Sequence, residues 1–221
     1  MTSWRSACCI PGMEKMPYQD MVQTGSQAFD WHFGLPTIRG EKVTLREVRD
    51  SDAAALMAML TTEEVAEFIS PLPRTVEGFR DFISEVHNER LIGSSFCYGI
   101  VPEGYEDAKG LFQVRQLEPG FSSAEWGFAL GSPFWGTGVF LDGARSVIDY
   151  SFNVVGVHRL EARSIASNGR GNAALRKVGA MQEGVLRRSF QRNGRFFDQV
   201  LWSILREDWH HGKAMWGPRL H

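Results

Sequence analysis

The chain has 221 residues, 43% of them hydrophobic and 23% charged, which suits one domain with a sizeable buried core plus terminal segments. A formal charge of -2, from 24 Lys and Arg against 26 Asp and Glu, excludes a global polyanion-binding role and gives no sign of nucleic acid as a partner. No apolar run approaches the roughly 20 residues that a membrane span needs. The cysteines Cys8, Cys9 and Cys97 cannot all pair and lack zinc-ligand spacing, so no metal and a reducing, cytoplasmic setting are expected.

Residues 1–34 read as an N-terminal arm without the continuous apolar core of a signal peptide. Trp31, His32 and Phe33 are the residues able to dock it on the domain or on a second subunit. The domain is expected over 35–209. Val43 and Leu45 alternate with Thr44 and Arg46 in a first strand within 41–48. Asp50-Ser51-Asp52 offers N-cap chemistry to a helix through Ala55, Leu56, Met59 and Leu60, and a short helix follows over 65–69. Pro71 and Pro73 break that pattern. Thr75 then caps a helix whose apolar stripe is Phe79, Phe82, Ile83 and Val86. Strands are predicted at 95–101, with Cys97 as a small core residue, at 111–117 and at 124–130.

Ser132-Pro133-Phe134-Trp135-Gly136-Thr137-Gly138 follows, leading into a helix over 139–154. Strand, glycine turn and helix together aim backbone N–H groups and a helix dipole at an anion, usually a phosphate. A strand at 158–165 and a helix at 172–178 come next. A closing hairpin, 185–191 and 196–205, turns at Asn193-Gly194, a pair suited to a type I′ turn. Arg187, Arg188, Arg192 and Arg195 make its end basic, either as a solvated tip or as a substrate-facing rim. From Trp209 the sequence is short and unpatterned, so 210–221 reads as a tail, and His210-His211 reads as plain surface.

Several segments, in this order, carry a resemblance: Val43-Thr44-Leu45-Arg46, Glu125-Trp126-Gly127-Phe128, Phe134-Trp135-Gly136-Thr137-Gly138, Asn168 with Leu175, Lys177 and Gly179, and Asp198-Gln199-Val200-Leu201-Trp202-Ser203-Ile204-Leu205. The chain resembles the GNAT superfamily of acyl-CoA-dependent N-acetyltransferases over 35–209, and within it the Rim-type branch that acetylates N-terminal amines of ribosomal proteins. The resemblance implies an α/β (α+β) fold, a single domain with a mixed, mostly antiparallel sheet of about seven strands flanked by helices. It also implies that the fourth and fifth strands of that fold, here 124–130 and 158–165, splay apart.

The cosubstrate implied is acetyl-CoA, with no metal. Its pyrophosphate would rest on the backbone of Trp135, Gly136, Thr137, Gly138, Val139 and Phe140. Its pantetheine arm would lie like an added strand along Phe128, Ala129 and Leu130. Asn168 would contact the arm or cap the next helix locally, and Asn172 and Lys177 complete the cofactor set. Glu125 is the general base, acting through water, if its strand is the apolar setting that raises a carboxylate; the alternative is a carboxylate tied to an arginine. Phe68, Ile69, Ser70, Arg188 and Phe190 are the candidate walls of the acceptor groove, or else core.

The chain departs from the resembling pattern at four positions. Pro133 and Thr137 stand where basic or amide side chains are usual, so the cradle should grip mostly through backbone. Gly171 and Leu175 replace the usual serine or tyrosine proton donors, leaving Ser164, Ser167 and Asn172 as stand-ins. The expected acceptor is a protein or peptide α-amine. The alternatives are a small-molecule amine, or a CoA-binding module that has lost catalysis. A homodimer is a family-level expectation.

Overall fold

The computed structural model describes residues 30–70 and 72–215; Pro71, most of the N-terminal arm with Cys8 and Cys9, and the end of the tail lie outside them. The strands are β1 (Ile38–Arg39), β2 (Val43–Glu47), β3 (Ser95–Pro102), β4 (Gly110–Gln116), β5 (Ser123–Leu130), β6 (Arg159–Ile165), β7 (Met181–Arg192) and β8 (Arg195–Leu205). The helices are α1 (Ala53–Leu60), α2 (Glu63–Ala66), α3 (Val76–Leu91), α4 (Val139–Tyr150), α5 (Gly169–Lys177) and α6 (Arg206–Met215). All eight strands join one sheet in the order β1-β2-β3-β4-β5-β6-β8-β7, antiparallel except where β5 meets β6. The sheet therefore has eight strands rather than about seven, the extra one being the two-residue edge strand β1.

Alternation along the central strands sends side chains to two cores. Phe96, Tyr98, Ile100, Phe112, Val114 and Trp126 meet α4 and α5, while Cys97, Val101 and Leu111 meet α1–α3. Every residue of β3 is buried, because helices cover both of its faces. Along α3, Phe79, Ile83 and Val86 form the buried stripe, and Thr75 caps the helix by accepting from the Gly78 amide at 3.0 Å.

Three local expectations change. Arg46 turns inward, where it forks onto Asp52 with both N–O distances 2.7 Å, and Asp52 also accepts from the Arg49 and Ala108 amides. Asp52 is thus a buried anchor for the β2–α1 connection. The segment 206–215 is helical, so the expected boundary at 209/210 falls inside α6, whose Trp209 packs on Phe152. Of the aromatic trio near the arm, Trp31 docks between Phe96 and Phe121, whereas Phe33 is exposed.

Candidate functional site

β5 and β6 pair only at Ser123↔Arg159, Ala124↔Leu160 and Glu125↔Glu161. Beyond Glu125 and Glu161 the two strands part, so Trp126–Leu130 and Ala162–Ile165 line a gap with unpaired edges. Such edges can take an extended ligand as an added strand. Phe128, Ala129 and Leu130 lie along this edge as expected. The Leu130 carbonyl, however, already accepts from the Trp135 indole at 2.8 Å.

At the open end of the gap sits the glycine turn. Gly136 has φ 76 and Gly138 has φ 93, a left-handed backbone that side chains resist. Among the described residues, the amides of Gly136, Thr137, Gly138 and Phe140 have no acceptor, and that of Val139 reaches only the Thr137 hydroxyl, at 3.4 Å. These N–H groups and the α4 dipole form an anion cradle. The Thr137 hydroxyl donates to the Phe134 carbonyl at 2.7 Å, so it tightens the turn rather than facing a ligand.

The cradle is more basic than its local sequence suggests. Lys42, just before β2, donates from Nζ to the Thr137 carbonyl at 3.0 Å, while its amide donates to Asp142 in the first turn of α4 at 2.7 Å. Gly40 allows this contact, since a Cβ there would lie 2.3 Å from the Asp142 carboxylate. Arg170, in the first turn of α5, stacks its guanidinium 3.8 Å from the Trp135 ring centroid. Nothing in the sequence near 136–138 points to Lys42 or Arg170; only the tertiary fold brings them in.

Asn168 caps α5 by accepting from the Gly171 amide at 2.8 Å, the local role expected of it, and stands where β6 runs out at the gap. Asn172, also expected in the cofactor set, is engaged inside the protein. Its amide donates to the Ile165 and Asn168 carbonyls at 3.0 and 2.8 Å and accepts from the Trp202 indole at 2.9 Å, which uses up its geometry in clasping β6, α5 and β8. Lys177 ends α5, about 12 Å of helix away from the end that meets the gap, so the fold does not bring it to the site.

Glu125 ends the paired part of β5, at the closed end of the gap, but its surroundings are not the expected apolar ones. Its carboxylate accepts from Arg115 Nε at 2.9 Å and lies 3.7 Å from Arg163. Arg163 also approaches Glu161, which bonds Arg159, which in turn bonds Glu183. The result is an alternating ladder of three guanidiniums and three carboxylates across β4, β5, β6 and β7. Within it, hydrogen bonds from Arg159 and from the Ser203 hydroxyl hold the Glu183 carboxyl down at about 2.

Between α2 and the β7–β8 hairpin lies a groove of about 950 Å³, lined by Glu63, Glu67, Phe68, Arg74, Arg192 and Arg195 among others, and also by Ile165, where β6 ends, and Ser167 just beyond it. Arg192 donates to the carbonyls of Ala66 and Ile69, so this arginine is a clasp rather than a solvated tip. Of the expected walls, Phe68 lines the groove, while Ile69 packs on the α1–α3 core. Arg188 borders a smaller neighbouring cleft, in a bulge of β7 where its φ is 51. Phe190 pairs with Phe197 along the hairpin, and neither it nor Ser70 lines the groove. Among the described residues no group of three or more His, Cys, Asp or Glu could hold a metal, and no helix is long and apolar enough to cross a membrane.

Comparison with known proteins agrees with this geometry. A family model described as "Acetyltransferase (GNAT) domain" matches residues 42–181. The chain is 26% identical to "Uncharacterized N-acetyltransferase p20" of Bacillus licheniformis over 176 residues, covering 79% of this chain and 99% of that protein. Its fold is similar to that of Mycobacterium smegmatis RimJ in complex with CoA-disulfide, with TM-score 0.71, 24% identity and coverage of 81% of this chain and 94% of that one. The ribosomal-protein-S5-alanine acetyltransferase from Vibrio fischeri also matches in fold, with TM-score 0.71 and 20% identity over 79% of this chain and 98% of that one.

Proposed function

The chain belongs to the acetyltransferase (GNAT) family, and from that premise we propose that its acceptor is the α-amine of a protein or peptide. The residues present fit acetyl-CoA: the glycine turn with Lys42 would hold the pyrophosphate, and the unpaired edges of β5 and β6 would hold the pantetheine arm. Bound there, acetyl-CoA supplies an acyl group activated as a thioester.

The observation that carries the acceptor class is the mixed charge of the groove beside the gap. Glu63 and Glu67 can receive an ammonium, while Arg74, Arg192 and Arg195 can receive carbonyls or acidic side chains further along a peptide. A polyamine or an aminoglycoside would meet three like charges there. An α-amine, with pKa of about 8 against about 10.4 for lysine, is also far easier to deprotonate near neutral pH. The Vibrio fischeri protein is named for acetylating alanine of ribosomal protein S5; at 20% identity that likeness is one of fold, and the acceptor class here rests on the groove.

Glu125 is the proposed base, taking the ammonium proton through a water while Arg115 and Arg163 hold its carboxylate in place. Thiol release from acetyl-CoA, measured with a panel of N-terminal peptides and small amines, tests both points. Turnover on peptides that exceeds turnover on polyamines and amino acids supports the acceptor class, and the reverse order overturns it. Stabilisation by acetyl-CoA without turnover on any amine would mark a binding module instead. A loss of about a hundredfold in kcat for Glu125→Gln supports the base; a loss of threefold or less, on the order of one hydrogen bond, would leave Glu125 as an anchor for the arginines.

A further inference from the structure

Arg188 stands in a bulge of the closing hairpin. Three residues of β7, Arg187–Ser189, lie opposite the single Asp198 of β8, between the pairs Leu186↔Gln199 and Phe190↔Phe197. There Arg188 takes a φ of 51, a left-handed conformation that side chains resist. The bulge is firmly held. The Arg188 amide donates to Asp198 Oδ1 at 2.8 Å, and the Ser189 hydroxyl lies 3.0 Å from the Leu186 carbonyl and 2.9 Å from the Gln199 side chain.

Two other described residues besides glycine have a positive φ, and each has a reason within the chain. Asn193 suits the hairpin turn, and Phe121 packs against Trp31 and Phe96. Arg188 has no such reason. Its side chain is exposed, and among the described residues its guanidinium makes no hydrogen bond or ion pair. Glycine or asparagine would hold the same backbone with less strain. Strain that no contact within the chain offsets marks a side chain kept for something outside it.

Arg188 lines a cleft of about 290 Å³ whose walls Ile165, Ser167 and Phe197 also line the acceptor groove, so the two spaces adjoin where β6 ends. Asp198 lines the cleft as well, with its Oδ1 engaged on the Arg188 amide. A guanidinium without a partner fits a carboxylate, which it can grip through two parallel N–H donors. The glycine cradle follows β5, with β6 and β8 between it and β7, so the anion is one carried by the acceptor rather than a phosphate of the cosubstrate. The groove is on the order of 10 Å across, about three residues of extended peptide. Resting on the reading of the acceptor as a peptide α-amine, we infer that Arg188 selects acceptors with an aspartate or glutamate within about the first five residues. The guanidinium binds that carboxylate in the cleft, and the bulge fixes where it stands.

The test uses short peptides that share one N-terminal residue and carry aspartate or asparagine at the second to fifth positions in turn, compared by thiol release from acetyl-CoA. With the wild type, aspartate at one of these positions should raise kcat/KM about tenfold over asparagine, chiefly through a lower KM. Arg188→Gln should bring that ratio to about one, and Arg188→Lys should keep part of it. Arg188→Asn, which suits the left-handed backbone, should lose the preference while melting at the wild-type temperature or above. Equal turnover of aspartate and asparagine peptides by the wild type, a ratio that survives Arg188→Gln, or a lower melting temperature for Arg188→Asn overturns the inference. So does weaker CoA binding by Arg188→Gln in isothermal titration, since the side chain would then serve the cosubstrate. Turnover of polyamines or amino acids with none of any peptide removes the peptide reading and this one together, whereas peptide turnover without an aspartate effect removes this one alone.

Discussion

Lys42 is brought by the fold, from the β1–β2 side of the sheet, to a turn that has no cation of its own. Its ammonium sits 3.0 Å from the Thr137 carbonyl, beside the free amides of the cradle. An exposed charge–phosphate contact of this kind is screened by salt. Lys42→Met is therefore expected to weaken CoA binding about fivefold at low ionic strength and by less at high salt, as isothermal titration at two salt concentrations would show. Gly136→Val forces a β-branched residue to a φ of 76 and should weaken binding about thirtyfold or more at both. Thr137→Ala removes only a bond internal to the turn and should cost about twofold. Equal losses from all three variants would contradict a cradle built of backbone and one distant lysine.

At the scale of elements, the β7–β8 hairpin forms a wall of the groove because Arg192 ties it to the end of α2. Arg192→Ala should free that wall, raising the acceptor KM about tenfold and leaving CoA affinity unchanged; steady-state kinetics with each substrate varied in turn separates the two. The turn that builds the hairpin is plain in the sequence, because Asn193 and Gly194 tolerate the φ of 48 and 73 found there. β5 and the stripe of α3 are equally plain, since their burial follows a fixed period, and β3 is plain as a short apolar run buried on both faces. The contacts that place the site are harder to read. Arg46 looks outward by alternation and is turned in by Asp52; Asn172 resembles a ligand contact and instead satisfies three elements; α6 has little pattern of its own and gains its place from Trp209. Asp52 stands six residues beyond Arg46, outside its strand, while Trp202 and Phe152 are distant in the chain; in each case the partner lies outside the local period, which carries no trace of it.

Across the whole molecule, stability in acid should follow two carboxylates. Burial alone would raise the Asp52 carboxyl, but the hydrogen bonds from Arg46 and from the Ala108 and Arg49 amides outweigh it and leave it below the ordinary value; Glu183 is held at about 2. A depressed folded value means that the stabilisation is complete above the ordinary carboxylate range, near 4, and is lost as pH falls toward the folded values. Glu183 is partly exposed, so Asp52 contributes the larger share. Asp52→Asn, which leaves Arg46 buried without its counter-charge, should cost about 3–5 kcal/mol at neutral pH and flatten the acid limb of the stability curve. Denaturant unfolding at pH 7 and pH 3 would show both effects.

The three residue pairs that join β5 to β6 are all that the sheet itself provides between its two parts, β1–β5 and β6–β8–β7. One apolar core spans both parts, but the hydrogen-bonded seam is short, and amides of β6 and β8 should exchange with solvent faster than those of β2–β4. A ligand strand laid in the gap would hydrogen-bond to both parts at once. Occupancy would then slow exchange of the β6 and β8 amides as well as raise the melting temperature.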